Sequence, residues 1–153
     1  MMEISPKGTV PILLLQDGTV IEESLEIMQH VLSWELSEAE THWVGRNDNE
    51  FKFHLDRYKY PNRYEDVDEI EQRTAASGYL HDLNTLLVQD KAIRVDLSDA
   101  SFPFVRQCAN HDRDWFDAQD WSNVHSWLGE NLESEAFKTC MKKHKQWVAK
   151  DAT

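Results

Sequence analysis

Histidine and cysteine are the residue types of this chain that most often bind metals or carry redox chemistry. The seven histidines stand at positions 30, 42, 54, 81, 111, 125 and 144, and no pair has the spacing of a helical metal-binding motif. Cys108 and Cys140 are too far apart for a CxxC site and too few for a disulfide framework. The sequence therefore predicts reduced thiols and no metal site.

A basic cluster interleaved with aromatic residues is a second candidate for chemistry. Its cations are Lys52, Arg57, Lys59 and Arg63, and its tyrosines are Tyr58, Tyr60 and Tyr64. One interpretation is a solvated helix face whose charges pair with neighbours such as Asp56, beside tyrosines that simply pack. The other is attraction of an anionic ligand, with tyrosines such as Tyr58 lining a pocket for an electrophile. Arg106 is the second candidate for lining that pocket. The alternative interpretation of Arg106 is that it forms buried polar structure with Asp112.

Two glutamates and a serine at positions 22–24 open a helical pattern, and taken alone they are most typical of a helix N-cap. Ahead of them, an apolar strand from Ile12 to Leu15, a Gln-Asp-Gly turn and a β-branched strand from Thr19 to Ile21 predict a β-hairpin. The apolar stripe of the predicted helix comprises Ile27, Met28, Val31, Leu32 and Trp34. Because a lone hairpin and helix is marginal, the bare edge of the first strand is expected to pair with another strand.

From about residue 48 onward the pattern is helical. Helices are predicted around 51–58 and over 66–89, 121–132 and 134–148, with a further helix N-terminus at Asp96-x-x-Asp99. Pro103 is expected to bend the helix that follows Asp96. Residues 45–48 read as a linker. The predicted fold class is therefore mostly α, with a β-β-α unit ahead of an all-helical domain.

The net charge of −12 argues against a nucleic-acid partner, because so acidic a protein repels phosphate backbones. The longest aliphatic run, Val10 to Leu15, is interrupted by Pro11 and is far too short to span a bilayer. No secretory signal pattern opens the chain. We therefore expect a cytoplasmic protein with neither a nucleic-acid nor a membrane partner.

Four stretches resemble the glutathione S-transferase superfamily. "SPKGTVP" and "DGTVIEES" resemble the second half of its thioredoxin-like domain, and "LDRYKYPNRY" and "FPFVRQCANHDRDWFD" resemble the all-helical second domain of a bacterial branch. The resemblance implies a partial thioredoxin-like domain over 1–36, a linker over 37–47 and an all-helical domain over 48–153. It also implies glutathione as a ligand, a small electrophile as co-substrate, and a homodimer.

The resemblance assigns a glutathione site as well. Pro11 matches the family's cis-proline, which implies that the backbone at Val10 pairs with the cysteinyl part of glutathione. Glu23 and Ser24 match the pair that holds the γ-glutamyl end. Glu23 suits its ammonium group, and the Ser24 hydroxyl with the helix N–H groups suits its carboxylate. With Val10-Pro11 in place, this interpretation is preferred to a plain helix cap.

The residue that activates the glutathione thiol in this family has no counterpart in the sequence. That residue lies near the start of the family's first helix, and the chain is expected to be N-terminally truncated, opening where the second helix has ended. We therefore assign no catalytic residue. Three functions stay open: a glutathione S-transferase-like protein, an enzyme completed by a second chain, and a non-enzymatic interaction or assembly module built on the helical domain. Retention of glutathione would distinguish the interaction module, which does not bind it, from the two functions that do.

Overall fold

The computed structural model describes residues 5–8, 10–89 and 100–145. Over these residues the fold is mostly α-helical, with a two-stranded antiparallel sheet ahead of the helices. The predicted fold class, a β-β-α unit followed by a helical domain, is confirmed. In the same residues no helix combines the length and the apolar character needed to cross a bilayer.

The hairpin consists of strands β1 (Leu13–Leu14) and β2 (Val20–Ile21). They pair antiparallel, with Leu13 opposite Ile21. Asp17 stabilises the turn, because its carboxylate accepts a hydrogen bond from the Thr19 backbone N–H at 2.9 Å. Gly18 has a φ of +89°, a left-handed conformation that glycine adopts without steric cost. The predicted Asp-Gly turn is therefore confirmed.

Helix α1 runs over Ser24–Leu32 and ends at Ser33, whose φ of 51° is left-handed. None of its side chains is buried among the described residues. Val31 and Leu32, which belong to the predicted apolar stripe, are 65% and 53% exposed. A helical period reports which side chains share a face, but not whether that face finds a neighbour. The helix was therefore predicted correctly, and two side chains of its apolar stripe are exposed.

Helix α2 runs over Glu38–Arg46, where the sequence predicted a linker. Ser37 and Glu40 form a capping box, in which the Glu40 carboxylate accepts from the Ser37 backbone N–H at 2.6 Å. The same carboxylate accepts from Trp34 Nε1 at 3.2 Å, which ties the segment after α1 to α2. Gly45 is tolerated inside the helix at a cost of about 1 kcal/mol against alanine. The linker interpretation missed this helix because the cap outweighs one glycine.

The next elements along the chain are a π-helical turn (Asn47–Phe51), α3 (Lys52–Lys59), a 3₁₀ turn (Pro61–Arg63) and α4 (Glu69–Gln89). Helix α3 stops before Pro61, as predicted. Helix α4 starts later than the predicted Asp66, because Asp66 has a left-handed φ of 51°. Asp68 caps α4 instead, and its carboxylate accepts from the Ile70 backbone N–H at 2.8 Å.

The C-terminal helices of the described chain are α5 (Phe102–His111), α6 (Arg113–Asp117), α7 (Ser122–Glu133) and α8 (Glu135–Cys140). Pro103 lies in the first turn of α5, where a missing N–H leaves no helical bond unmade. The helix that Pro103 was predicted to bend begins outside the described residues. Helix α8 ends far short of the predicted Val148, since the cationic run at 142–145 offers no apolar face. The predicted helix start at Asp96 lies outside the described residues.

The hydrophobic core lies in the helical part of the chain and draws on α3, α4, α5 and α7. Its fully buried large side chains include Phe51, Leu55, Tyr79, Leu83, Phe116 and Trp127. Phe51 stacks on Tyr79 with ring centroids 4.8 Å apart, and the Tyr79 hydroxyl shares a hydrogen bond of 3.0 Å with the hydroxyl of buried Ser101. The predicted helical faces at 51–58 and 76–87 are therefore the ones that are buried.

Candidate functional site

The Val10–Pro11 peptide bond is cis, as the sequence predicted. The Val10 side chain is 73% exposed, and Pro11 is exposed as well. Within the described part of the chain, the backbone N–H and C=O of Val10 make no hydrogen bond. A peptide-like ligand lying alongside can therefore pair with them.

The hairpin register brings both predicted ligand segments to one end of the sheet. Leu13 lies opposite Ile21 in an antiparallel pair. The chain before Leu13 and the chain after Ile21 therefore leave the sheet at the same end, away from the turn. Val10-Pro11 and Glu23-Ser24 therefore both lie at that end, although a whole hairpin separates them in sequence.

Glu23 is the N-cap residue of α1, but its side chain makes no capping hydrogen bond. Its carboxylate instead accepts a hydrogen bond from Lys7 Nζ at 3.1 Å. Ser24 follows as the exposed first residue of the helix. The N–H groups of the first turn thus receive nothing from the cap side chain, and they carry the positive partial charge of a helix start.

Lys7 also connects Glu23 to Glu22, because its Nζ lies 3.5 Å from the Glu22 carboxylate. Ser5 is fully buried and donates its hydroxyl to the other carboxylate oxygen of Glu22. This hydrogen bond, and after it the charge of Lys7, lowers the pKa of Glu22. The hydrogen bond to Glu23, and then the negative charges of both glutamates, raises the pKa of Lys7. Both groups are thereby held in their charged forms.

Lys7, Ser5 and Glu22 were not among the predicted ligand residues. One signal in the sequence pointed to Lys7, which is the only Lys or Arg among the first 45 residues. A lone cation in a segment rich in glutamate is expected to find a carboxylate partner. The hairpin determines which glutamate pairs with Lys7, because it brings positions 22 and 23 back beside the chain that precedes β1.

The arrangement can recognise both charges of an α-amino acid group. The ammonium group of Lys7 already contacts the Glu23 carboxylate, so a ligand ammonium can take its place there. A ligand carboxylate is favoured at the start of α1 beside Ser24, where the helix N–H groups point outward. The site is exposed, so these contacts act in a high-dielectric setting and each is individually modest.

Tyr58, predicted to line a pocket or to pack, lies in the helical core and is 4% exposed. Its hydroxyl donates to the Asp112 carboxylate at 3.3 Å. Its ring meets those of His111 and Trp115 edge-on, with centroids 4.6 and 6.2 Å away. Burial raises the pKa of Tyr58. These contacts favour the packing interpretation.

Arg106 lies on α5 and lines a cavity of about 330 Å³ between α5, α7 and α8. Its guanidinium carbon lies 5.5 Å from the ring centroid of Phe137. Tyr58 is not among the residues that line this cavity. The structure therefore does not bring the two candidates for an electrophile pocket together there.

Aromatic rings lie close to the two arginines of the basic cluster. The Arg57 guanidinium lies 3.3 Å from the centroid of Phe53 and 4.3 Å from that of Tyr64. Arg63 lies 4.0 Å from the centroid of Tyr60. Stacking of this kind is worth about 0.5–1 kcal/mol at an exposed site. Cation–π stacking therefore organises this helix face more than the predicted pairing with acids.

The described residues contain no cluster of three or more histidine, cysteine or acidic side chains arranged to hold a metal ion. Cys108 is buried and Cys140 is exposed, and both are free thiols. Burial raises the pKa of Cys108 to about 12. That thiol is therefore protonated and unreactive at neutral pH.

The segment that carries Val10, Pro11, Glu23 and Ser24 is similar to a known protein family. The family model of the glutathione S-transferase N-terminal domain matches residues 1–33. No curated protein matches the chain, and no solved structure matches it. The similarity thus covers the hairpin, α1 and all four predicted ligand residues.

Proposed function

We propose that this is a glutathione S-transferase-like protein whose N-terminal unit binds glutathione. The observation that carries the proposal is the environment of the Glu23 carboxylate, within the segment that matches the family model. This carboxylate does not cap the helix, and it accepts a hydrogen bond from the Lys7 ammonium group at 3.1 Å. In this proposal Glu23 receives the γ-glutamyl ammonium, and the start of α1 at Ser24 receives the γ-glutamyl carboxylate. The backbone at Val10, before Pro11, pairs with the cysteinyl part.

The proposed reaction is conjugation of glutathione to a small electrophile. The glutathione thiol must lose its proton before it can attack. Among the described residues we assign no side chain to stabilise the thiolate at this site. Because the family's activating residue has no counterpart in the sequence, the proposal places that group on a second chain. Tyr58 is assigned to packing, and Arg106 lines a cavity that no residue of the glutathione segment lines, so neither is assigned to the electrophile.

The proposed organisation follows the same resemblance. A glutathione-binding unit over 1–36 precedes a helical domain over 48–153, and α2 is the helical connection between them. A homodimer is the proposed assembly, and a cytoplasmic location is proposed with it. The exposed side chains of Leu14, Val31 and Leu32 support an assembly of more than one chain, because they leave apolar surface uncovered by the described residues.

Calorimetric titration of the full chain with glutathione tests the binding step. Glu23→Gln keeps the size of the side chain and removes its charge, so it is expected to weaken binding about tenfold or more, the loss of one charge-assisted hydrogen bond. Glu26→Gln is the matched control, because it removes the same charge from the first turn of the same helix. Lys7→Met removes the competitor for Glu23 and is expected to tighten binding.

The proposal fails if glutathione does not bind at millimolar concentration. It also fails if Glu23→Gln and Glu26→Gln reduce the affinity equally, because the effect would then be general electrostatics instead of a contact at Glu23.

A non-enzymatic interaction module is the second candidate function. The exposed apolar side chains of Leu14, Val31 and Leu32 favour it, since apolar surface left uncovered by the described residues is available to a docking partner. Under this alternative the chain self-associates or captures a partner but does not bind glutathione. Titration with glutathione and sedimentation velocity on the same sample separate the two functions.

A further inference from the structure

A cavity at the C-terminal end of the described chain lies apart from the glutathione segment. Its volume is about 330 Å³, at the lower end of the range of roughly 300–1,000 Å³ that small-molecule sites occupy. The lining residues that matter for the argument are Phe102, Arg106, Ser134, Phe137, Cys140 and Met141. The rings of Phe102 and Phe137 meet edge-to-face with centroids 5.3 Å apart, so one wall is aromatic.

Arg106 places a positive charge in this apolar setting. It is half-buried on α5, and its guanidinium contacts the ring of Phe137. No carboxylate of the described residues forms an ion pair with it, although the net charge of the chain is −12. The acidic residues next to α8 are already engaged, since Lys138 Nζ lies 3.1 Å from Glu133 and 3.8 Å from Glu135.

A half-buried guanidinium without a carboxylate partner is suited to an anionic ligand. Its planar fork of N–H donors matches the two oxygens of a carboxylate, and the contact strengthens as water is excluded. Ser134 adds a hydroxyl to the lining, and its Oγ already accepts from the Phe137 backbone N–H at 3.1 Å. The Ser134 hydroxyl hydrogen is thus available to a second acceptor.

We propose that this cavity binds a small carboxylate with a compact apolar body. The carboxylate pairs with Arg106, and the body lies against the aromatic wall and Met141. The site is separate from the proposed glutathione site and does not depend on it. A ligand seated here covers Cys140, which is exposed in the described structure and lines the same cavity.

The test uses 4-phenylbutyrate as the probe and the alkylation of Cys140 as the readout. The full chain is treated with N-ethylmaleimide, an uncharged reagent, and the modified peptide is quantified by mass spectrometry. The acid is expected to slow alkylation of Cys140 saturably. The matched alcohol, 4-phenyl-1-butanol, is expected to protect about tenfold more weakly or worse, because it cannot pair with the guanidinium. This comparison needs no variant and so does not depend on the folding of one.

Variants then locate the charge. Arg106→Gln is expected to weaken protection by the acid about tenfold, and Arg106→Lys to retain part of it. Arg113→Gln is the control, because it removes an equal charge from an exposed arginine paired with Asp117 and should leave protection unchanged. The proposal is overturned if the acid gives no protection, if acid and alcohol protect equally, or if Arg113→Gln weakens protection as much as Arg106→Gln does.

Discussion

Asp112 is the residue whose removal tests the packing of the helical domain most directly. One carboxylate oxygen caps α6 by accepting from the Trp115 backbone N–H at 3.1 Å. The other accepts from the Tyr58 hydroxyl at 3.3 Å and from Arg73 Nη1 at 3.4 Å. One side chain therefore links α3, α4 and α6, and Asp112→Ala breaks all three contacts at once.

The expected cost follows from the burial of the partners. Loss of an N-cap costs about 1 kcal/mol. The Tyr58 hydroxyl is left in a nearly buried position without its acceptor, which costs about 1–3 kcal/mol. The partly exposed pair with Arg73 adds at most about 1 kcal/mol. Because two of the contacts are long, we expect Asp112→Ala to lower the free energy of unfolding by about 2–3 kcal/mol, and Asp112→Asn by about half as much.

Urea unfolding followed by circular dichroism measures this difference, provided that the slope of the transition is unchanged. Asp114→Ala is the control, since it removes an exposed carboxylate from the same short helix without a side-chain contact to another described element. Its effect should stay below about 1 kcal/mol. If Asp112→Ala were no more destabilising than Asp114→Ala, the three contacts would not contribute to stability and the reasoning would be refuted.

Three further predictions concern reactivity, pH and assembly. N-ethylmaleimide should modify Cys140 readily and Cys108 only on unfolding, because the buried thiol has its pKa raised to about 12; equal rates in the native protein would contradict this. The pKa of Glu22 should rise in Ser5→Ala, as followed by NMR of the side-chain carboxyl. Because the folded-state pKa of Glu22 is depressed, its contribution to stability is present above the unfolded pKa and is lost as pH falls through the folded pKa; Ser5→Ala should reduce that loss. Leu14 is 51% exposed on β1, so Leu14→Lys should reduce self-association in sedimentation velocity, and an unchanged distribution would show that this edge is not an interface.

The helical core was predictable from sequence because its apolar residues recur at helical spacing on several helices, whose apolar faces pack together. Phe51, Leu55 and Tyr58 recur at helical intervals, and all three are buried. The same holds for Leu80 and Leu83 on α4. Each of these side chains contributes to stability through the apolar area that it removes from water. The residues that form the helical pattern are therefore the residues whose burial stabilises the fold.

Elements fixed by polar caps were predicted less well. Helix α2 begins at the Ser37-x-x-Glu40 capping box, a signal that stands in the sequence but was outweighed by Gly45. The short helix α6 depends on Asp112, which the sequence had indicated only as a polar partner of Arg106. Pro103 was given the role of a kink, although the same residue type is favoured in a first turn. In each case one hydrogen bond or one missing N–H donor determines where the helix begins, and the apolar periodicity does not report that position.

The four residues of the candidate site were assigned by resemblance, and their contacts were not predicted. Resemblance assigned Val10, Pro11, Glu23 and Ser24, and the cis bond it implied at Val10–Pro11 is present. The contact between Lys7 and Glu23 joins positions on either side of the hairpin, so it follows from the register of β1 and β2 and not from local pattern.

Ligand binding should matter most to the N-terminal unit, because that unit buries least. No side chain of β1, β2 or α1 is fully buried among the described residues, whereas the core lies in the helices after Phe51. A ligand present at 100 times its dissociation constant stabilises the state it binds by about 2.7 kcal/mol. This stabilisation is small compared with the free energy that the burial of several large core side chains contributes. It is comparable with the stability that a two-stranded hairpin and one exposed helix have on their own. Glutathione bound at Glu23 and Ser24, or a second chain paired with β1, would therefore stabilise the folded conformation of this unit and leave the helical core unchanged.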